Sequence, residues 1–216
     1  MTVDAQQRPG AQEWVPDSGG IEALRGAAPD CRGCELWEPA TQVVFSAGNP
    51  TGRLALVGEQ PGDQEDRTGV PFVGPAGKLL QKALDEAGIE RGDVYVTNAV
   101  KHFRFSSTGP GKRRIHATPD RVHVEACKPW LVAELVTVDP ELVVCLGATA
   151  AKALLGQSFR VTKERGAVLE RETSRGAKRF LATVHPSAVL RAPDRDQAYG
   201  GLVADLRVAA NALACG

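Results

Sequence analysis

The stretch Leu54-Ala-Leu-Val-Gly-Glu-Gln-Pro-Gly-Asp63 limits the possible fold more than any other. Leu54 to Val57 are apolar without alternation, which predicts a strand buried on both faces, as in a parallel sheet covered by helices. The run stops at Gly58, and Pro61 and Gly62 impose a tight loop carrying Glu59 and Gln60, with Asp63 close behind. Ligands of open α/β sheets bind beyond the carboxyl ends of the strands, so these polar residues are candidate site residues. An ordinary strand-to-loop turn also satisfies this stretch alone. Other strand ends must decide.

Val94–Val100 predicts a second strand, ending near Asn98, whose amide can both donate to and accept from the edge of a base. Pro140–Gly147 predicts a third, leading into a small-residue helix from Ala148 to Leu155. Val161–Arg171 and Lys178–Val184 read as further strands around a turn at Thr173–Ala177, and the second leads into His185-Pro186-Ser187. Helical spacing is found at Ile21–Ala28 and at Gly77–Ala87, the latter closed by Gly88. Thr118-Pro-Asp opens a long helix containing Cys127, with Thr118 as its cap, and Asp194 caps a final one. Between Asp63 and Gly74 a polar, turn-rich loop holds Phe72 between Pro71 and Gly74, either to present its ring to a planar ligand or to tuck it into the core. Strands alternating with helices predict an α/β fold with a mostly parallel sheet covered on both faces.

The chain has 216 residues, enough for one domain with a substantial core. Residues 1–18 lack periodicity and predict a flexible tail, leaving 19–216 as a single domain. Acids and bases number 26 each, so a basic surface must be local. It falls at Lys101–His116, with five basic side chains, two aromatics and several glycines. Phosphate contact is the hypothesis for this loop, and a solvated charged loop its alternative. No membrane span or secretory leader is expected, and the compartment expected is the cytoplasm, where the cell keeps its DNA. Five cysteines in such a chain favour ligand or buried-thiol roles over disulfides. Cys31-Arg-Gly-Cys34 supports a metal or cluster site if distant partners complete it, with a redox dithiol as the competitor.

Three strand ends thus bring Glu59 and Gln60, Asn98 and His185 to one edge. With Phe72 to stack, they suit a planar, amide-edged base. Gly58-Glu-Gln-Pro-Gly62, Pro71-Phe-Val-Gly-Pro-Ala-Gly77, Val96-Thr-Asn-Ala-Val-Lys101 and His185-Pro-Ser187 resemble, in order and spacing, the motifs of the iron-sulfur (family 4) uracil-DNA glycosylases. The likeness runs from about Cys31 to Leu213. Lys112-Arg-Arg-Ile-His116 resembles the mark of one branch, the UdgX proteins.

The resemblance implies a three-layer α/β/α sandwich, a [4Fe-4S] cluster with its own loop region, and excision of uracil from single-stranded and duplex DNA with free uracil as product. A monomer is the default expectation. For the cluster it implies Cys31, Cys34 and Cys127, with His102 where the family has another cysteine. Cys145 is the rival fourth ligand, and Cys215 is assigned no role. Asn98 and Phe72 are expected to hold the uracil, with Gly58 and Asp63 beside it. His185 is expected to stabilise the departing anion, Glu59 to favour the cationic sugar or take a proton, and Gln60 to position groups alongside. Lys112, Arg113, Arg114 and Ser187 are expected against the DNA. The branch further implies that His116 captures the sugar, leaving the protein covalently joined to an abasic site. A multiple-turnover glycosylase and a non-enzymatic sensor of damaged DNA are the alternatives.

Overall fold

The computed structural model describes residues 8–107, 109 and 112–214. Along the chain, α1 (Gly20–Ala27) precedes β1 (Ser46–Gly48) and β2 (Leu54–Gly58). Next come α2 (Asp63–Thr68), α3 (Pro75–Ala87), β3 (Val94–Asn98), and a small hairpin of β4 (Phe105–Ser106) and β5 (Ile115–His116). Then follow α4 (Arg121–Val138), β6 (Leu142–Leu146), α5 (Ala148–Leu155) and α6 (Val161–Glu164). The chain continues through β7 (Val168–Thr173), β8 (Gly176–Thr183), α7 (Pro186–Leu190) and α8 (Arg195–Ala214).

Six strands form one sheet in the order β1-β3-β2-β6-β8-β7. The four in the middle are parallel, and the two edge strands run antiparallel to their neighbours. Side chains alternate across a strand, so each central strand feeds two cores. Leu54 and Leu56 pack with Leu80, Leu84, Leu202 and Leu206 of α3 and α8. Ala55 and Val57 pack on the other face with α1, α4 and α5, among them Ile21, Leu24, Trp130 and Ala150. Burial on both faces is why the strand is apolar throughout, and it makes the molecule the expected three-layer α/β/α sandwich.

Several expectations for single segments are corrected. Asp63–Gly74 is no plain loop but holds α2, which has no apolar periodicity. Its stability comes from Asp63, Glu65 and Asp66 at the positive helix end, with the Glu65 carboxylate turning back to accept from Gly62 N at 3.1 Å. Residues Val161–Glu164 form a helical turn, with Glu164 accepting from Arg160 N at 2.7 Å, and the strand begins only after Gly166, at φ 75°. The cap of α4 is Asp120 instead of Thr118: its backbone N donates to His123 Nδ1 at 3.0 Å.

Residues 1–7 of the expected flexible tail, like Cys215, lie outside the described residues. From Arg8 onward, however, the segment is packed. Gly10 N donates to Gly33 O, Ala11 N donates to Ala126 O, and Ala11 is buried. Arg8 pairs with Glu35. Among the described residues, no helix is long and apolar enough to cross a membrane.

Candidate active site

The parallel strands end on one rim, and four of them supply the site. β2 delivers Glu59 and Gln60, β3 delivers Asn98, and β8 delivers His185, as expected. β6 adds a contribution the sequence reading missed. Its turn places Gly147, at φ 91°, where a Cβ would come within 2.9 Å of His185 Cβ, and Thr149 beside Glu59. A cavity of about 530 Å³ opens there, lined by Glu59, Gln60, Phe72, Asn98, His116, His185 and Ser187, together with Glu65 and Arg191. Its size suits a small planar ligand.

At one end is a narrow slot. Asn98 is 2% exposed, and its Oδ1 is buried without a hydrogen-bond partner. An unpaired buried acceptor is costly, so this atom is poised for a donor that arrives with a ligand. Phe72 stands opposite in the left-handed region at φ 58°, a conformation a bulky residue holds only under constraint. Two contacts supply that constraint. Gly77 lies so close that a Cβ there would fall 1.7 Å from Phe72 O, and buried Glu65 accepts from Gly74 N at 2.8 Å. Gly58 forms the floor, where a Cβ would meet Asn98 Oδ1 at 2.3 Å and Phe72 Cζ at 2.6 Å. Glycine keeps the slot open.

His185 packs near Phe72, with ring centroids 6.3 Å apart. Its Nδ1 accepts from Ser187 N at 3.1 Å and lies 2.8 Å from Ser187 Oγ. The other nitrogen, Nε2, therefore carries the hydrogen. Burial, aided by His116 and Arg191, drives His185 down to about 4. The ring is thus a neutral donor at physiological pH. A stability consequence follows from the sign of this shift. Above about pH 6.5 neither state is protonated at this site; between 6.5 and 4 only the unfolded chain takes the proton. Stability is therefore lost as pH falls through that window, by on the order of 2–3 kcal/mol. Denaturant unfolding followed across the window should show this slope in the parent and a shallower one in His185→Gln.

His116 reaches the cavity mouth on the β4–β5 hairpin, where it pairs with Phe105. Beside it Gln60 Oε1 accepts from Arg104 N at 3.0 Å, and Gln60 Nε2 donates to Arg104 O and Ala117 O at 3.1 Å each, which fixes the amide's orientation and uses both its hydrogens. His116 Nε2 lies 2.9 Å from Gln60 Nε2. Glu59 Oε1 lies 3.5 Å from the same histidine nitrogen.

Two expected roles change. Arg114 is anchored instead of free for DNA. It pairs with Asp63 Oδ1 at 2.5 Å and buried Asp66 at 2.6 Å, donates to Thr41 Oγ1 at 3.0 Å, and lies over the stacked Phe103 and Phe105 rings. Asp63, expected beside the uracil, faces Arg114 and Arg67 and does not line the cavity, and its pair with Arg114 ties α2 to the hairpin. Lys112 and Arg113 remain exposed. Nothing in the local sequence pattern marks Thr149 or Glu65 as part of the site; only the convergence of strand ends does.

The cysteine cage lies behind the rim. Cys31, Cys34, Cys127 and His102 line one small cavity with Lys101, Trp130 and Ala11, whereas Cys145 sits within the apolar core and does not line it. The donors surround a space. Among the described residues, no three His, Cys, Asp or Glu side chains form a group that could hold a single metal ion. Trp130 Nε1 donates to Cys31 Sγ and Lys101 N to Cys127 Sγ, both at 3.3 Å. Burial pushes Cys34 up to about 11 and Cys127 up to about 12, so thiolates there require a cationic centre. Burial likewise lowers His102 to about 4, leaving a neutral imidazole with a lone pair to give. The donor set fits an iron-sulfur cluster.

Comparison with known proteins bears on the rim. The Uracil DNA glycosylase superfamily profile matches residues 45–207, which contain every strand end of the cavity. The type-4 uracil-DNA glycosylase of Thermotoga maritima is 40% identical over 172 residues, or 79% of this chain and 83% of that protein. Those of Archaeoglobus fulgidus and Pyrobaculum aerophilum are 36% and 35% identical, over 78% and 80% of this chain and 82% and 86% of theirs. The likeness to these relatives covers 78–80% of the chain.

Proposed function

Since the chain belongs to the uracil-DNA glycosylase superfamily, we propose that it is a UdgX-type enzyme, which excises uracil from DNA and then joins itself through His116 to the abasic sugar. The observation that carries this reading is the position of His116 Nε2, held at the cavity mouth 3.5 Å from the Glu59 carboxylate.

Uracil inside a duplex is out of reach, so the base enters flipped or from a single strand. Phe72 stacks on its face. Asn98 Oδ1 accepts from uracil N3–H and the amide NH2 donates to O4, a match that cytosine inverts. As the C1′–N1 bond breaks, its electron pair leaves with the base, and His185 Nε2–H stabilises the anion at a carbonyl oxygen. The sugar is left cationic, next to the Glu59 carboxylate. His116 Nε2 then donates its lone pair to C1′, forming a C–N bond in place of the one lost. The alkylated ring is an imidazolium, which loses its Nδ1 proton to solvent, while the uracil anion takes up one proton and leaves as neutral uracil. Lys112, Arg113 and Ser187 contact the backbone, the basic pair supplying affinity without sequence preference.

The protein carries a [4Fe-4S] cluster, whose ligands we assign to Cys31, Cys34, Cys127 and His102. Bound there, the cluster would cross-link the Cys31–Cys34 loop, the stretch that follows β3, and α4, and so brace the base of the hairpin that carries His116.

A single-stranded uracil oligonucleotide incubated with the protein and run on a denaturing gel tests the reading. A shifted band that survives denaturation, with the deoxyribose remnant mapped to the His116 peptide, is the expected result. Free abasic product would assign conventional turnover, and an unchanged oligonucleotide would remove the enzyme reading.

A further inference from the structure

Glu59 is held by a residue from the strand end that had no part in the site's expected chemistry. Thr149, the second residue of α5, donates its hydroxyl to Glu59 Oε2 at 2.5 Å. The other oxygen, Oε1, is thereby left facing His116 Nε2 at 3.5 Å. The Glu59 side chain is only 20% exposed and follows the last residue of β2, so its backbone is fixed and its rotamers are what remain free. The Thr149 hydroxyl ties one carboxylate oxygen and leaves the other at the cavity mouth.

We infer that Thr149 is a positioning residue for uracil excision, which acts solely through Glu59 by holding its carboxylate toward the site where the cationic sugar forms. Thr149 itself touches neither base nor sugar. The inference rests on the assignment of Glu59 as the carboxylate of the reaction. Charge-assisted hydrogen bonds of this kind carry strict geometry, and a misplaced charge loses most of its effect on a transition state.

The test measures single-turnover uracil release from a single-stranded uracil oligonucleotide by the cluster-loaded full chain, a readout that does not depend on the fate of the sugar. Thr149→Val, nearly isosteric without the hydroxyl, should release uracil about tenfold or more slowly with unchanged DNA affinity. Thr149→Ser should restore most of the rate. In a Glu59→Gln background Thr149→Val should add no further loss, because residues acting as one unit are not additive. Thr149→Ala serves in the same cycle should the valine variant melt early. A parent-like Thr149→Val, a serine variant as slow as the valine, or an equal loss in the Glu59→Gln background would each overturn the inference while leaving Glu59's role intact. A parent-like Glu59→Gln would overturn the Glu59 assignment, and this inference with it.

Discussion

Replacing His116 by Ser is expected to abolish the covalent band on a denaturing gel while uracil release continues, now with turnover. The His116 side chain is about half exposed, and among the described residues its strand pairs with β4 alone, so removing the ring should not disturb Asn98, Phe72 or His185. The shorter side chain opens room for water beside Glu59, and a neutral serine hydroxyl is a far weaker nucleophile than an imidazole nitrogen. Adduct yield should fall from nearly complete to none, with more than one uracil released per protein. A persistent adduct, mapped to a different peptide, would move the nucleophile elsewhere.

The second large effect concerns stability. Lys101 and Glu134 are a buried ion pair, exposed 1% and 0%. Lys101 Nζ also donates to Thr97 Oγ1 at 2.6 Å and to Asn98 O at 2.9 Å, while Tyr95 and Thr97 each donate to Glu134 Oε1 at 2.8 Å. Glu134→Ala strands an ammonium in the core, and breaking such a pair costs about 3–5 kcal/mol. For a chain of this size the melting midpoint should drop by roughly 10 °C. Replacing both partners, Lys101→Met with Glu134→Leu, should recover most of that loss, since two apolar groups leave no orphaned charge. Thermal unfolding of the three proteins measures this. A Glu134→Ala midpoint equal to the parent's would show that the pair contributes nothing.

How much of this was legible in the sequence depended on how local each cause is. β2, β3 and β6 could be read because burial on two faces demands unbroken apolar runs, and Glu59, Gln60, Asn98 and His185 followed from where those runs end. The helix α2 could not, because its stability comes from acids at a helix terminus and a returning Glu65 carboxylate, neither of which has a period. Asp63 and Arg114 looked like site residues from their motifs. Their real partners lie 51 positions apart along the chain, a pairing no local pattern announces. Thr149 was hidden for the same reason, 90 positions from Glu59. The packed segment around Ala11 carries few apolar residues, and it is placed by the cysteine loop at Gly33, by α4 at Ala126 and by Glu35, all distant in sequence.

The Arg114 anchor has a kinetic meaning. With its guanidinium tied to Asp63 and Asp66 and pressed on two phenylalanine rings, Arg114 holds the β5 side of the hairpin in place before DNA arrives. Less chain entropy then remains to be lost at His116 when the sugar cation forms. Groups fixed in this way react as though present at about 10⁵ M or more, far above the concentration of bulk water. In the proposed reaction, capture by His116 is therefore a race that the solvent enters too late, and loosening Arg114 should hand the short-lived cation back to water.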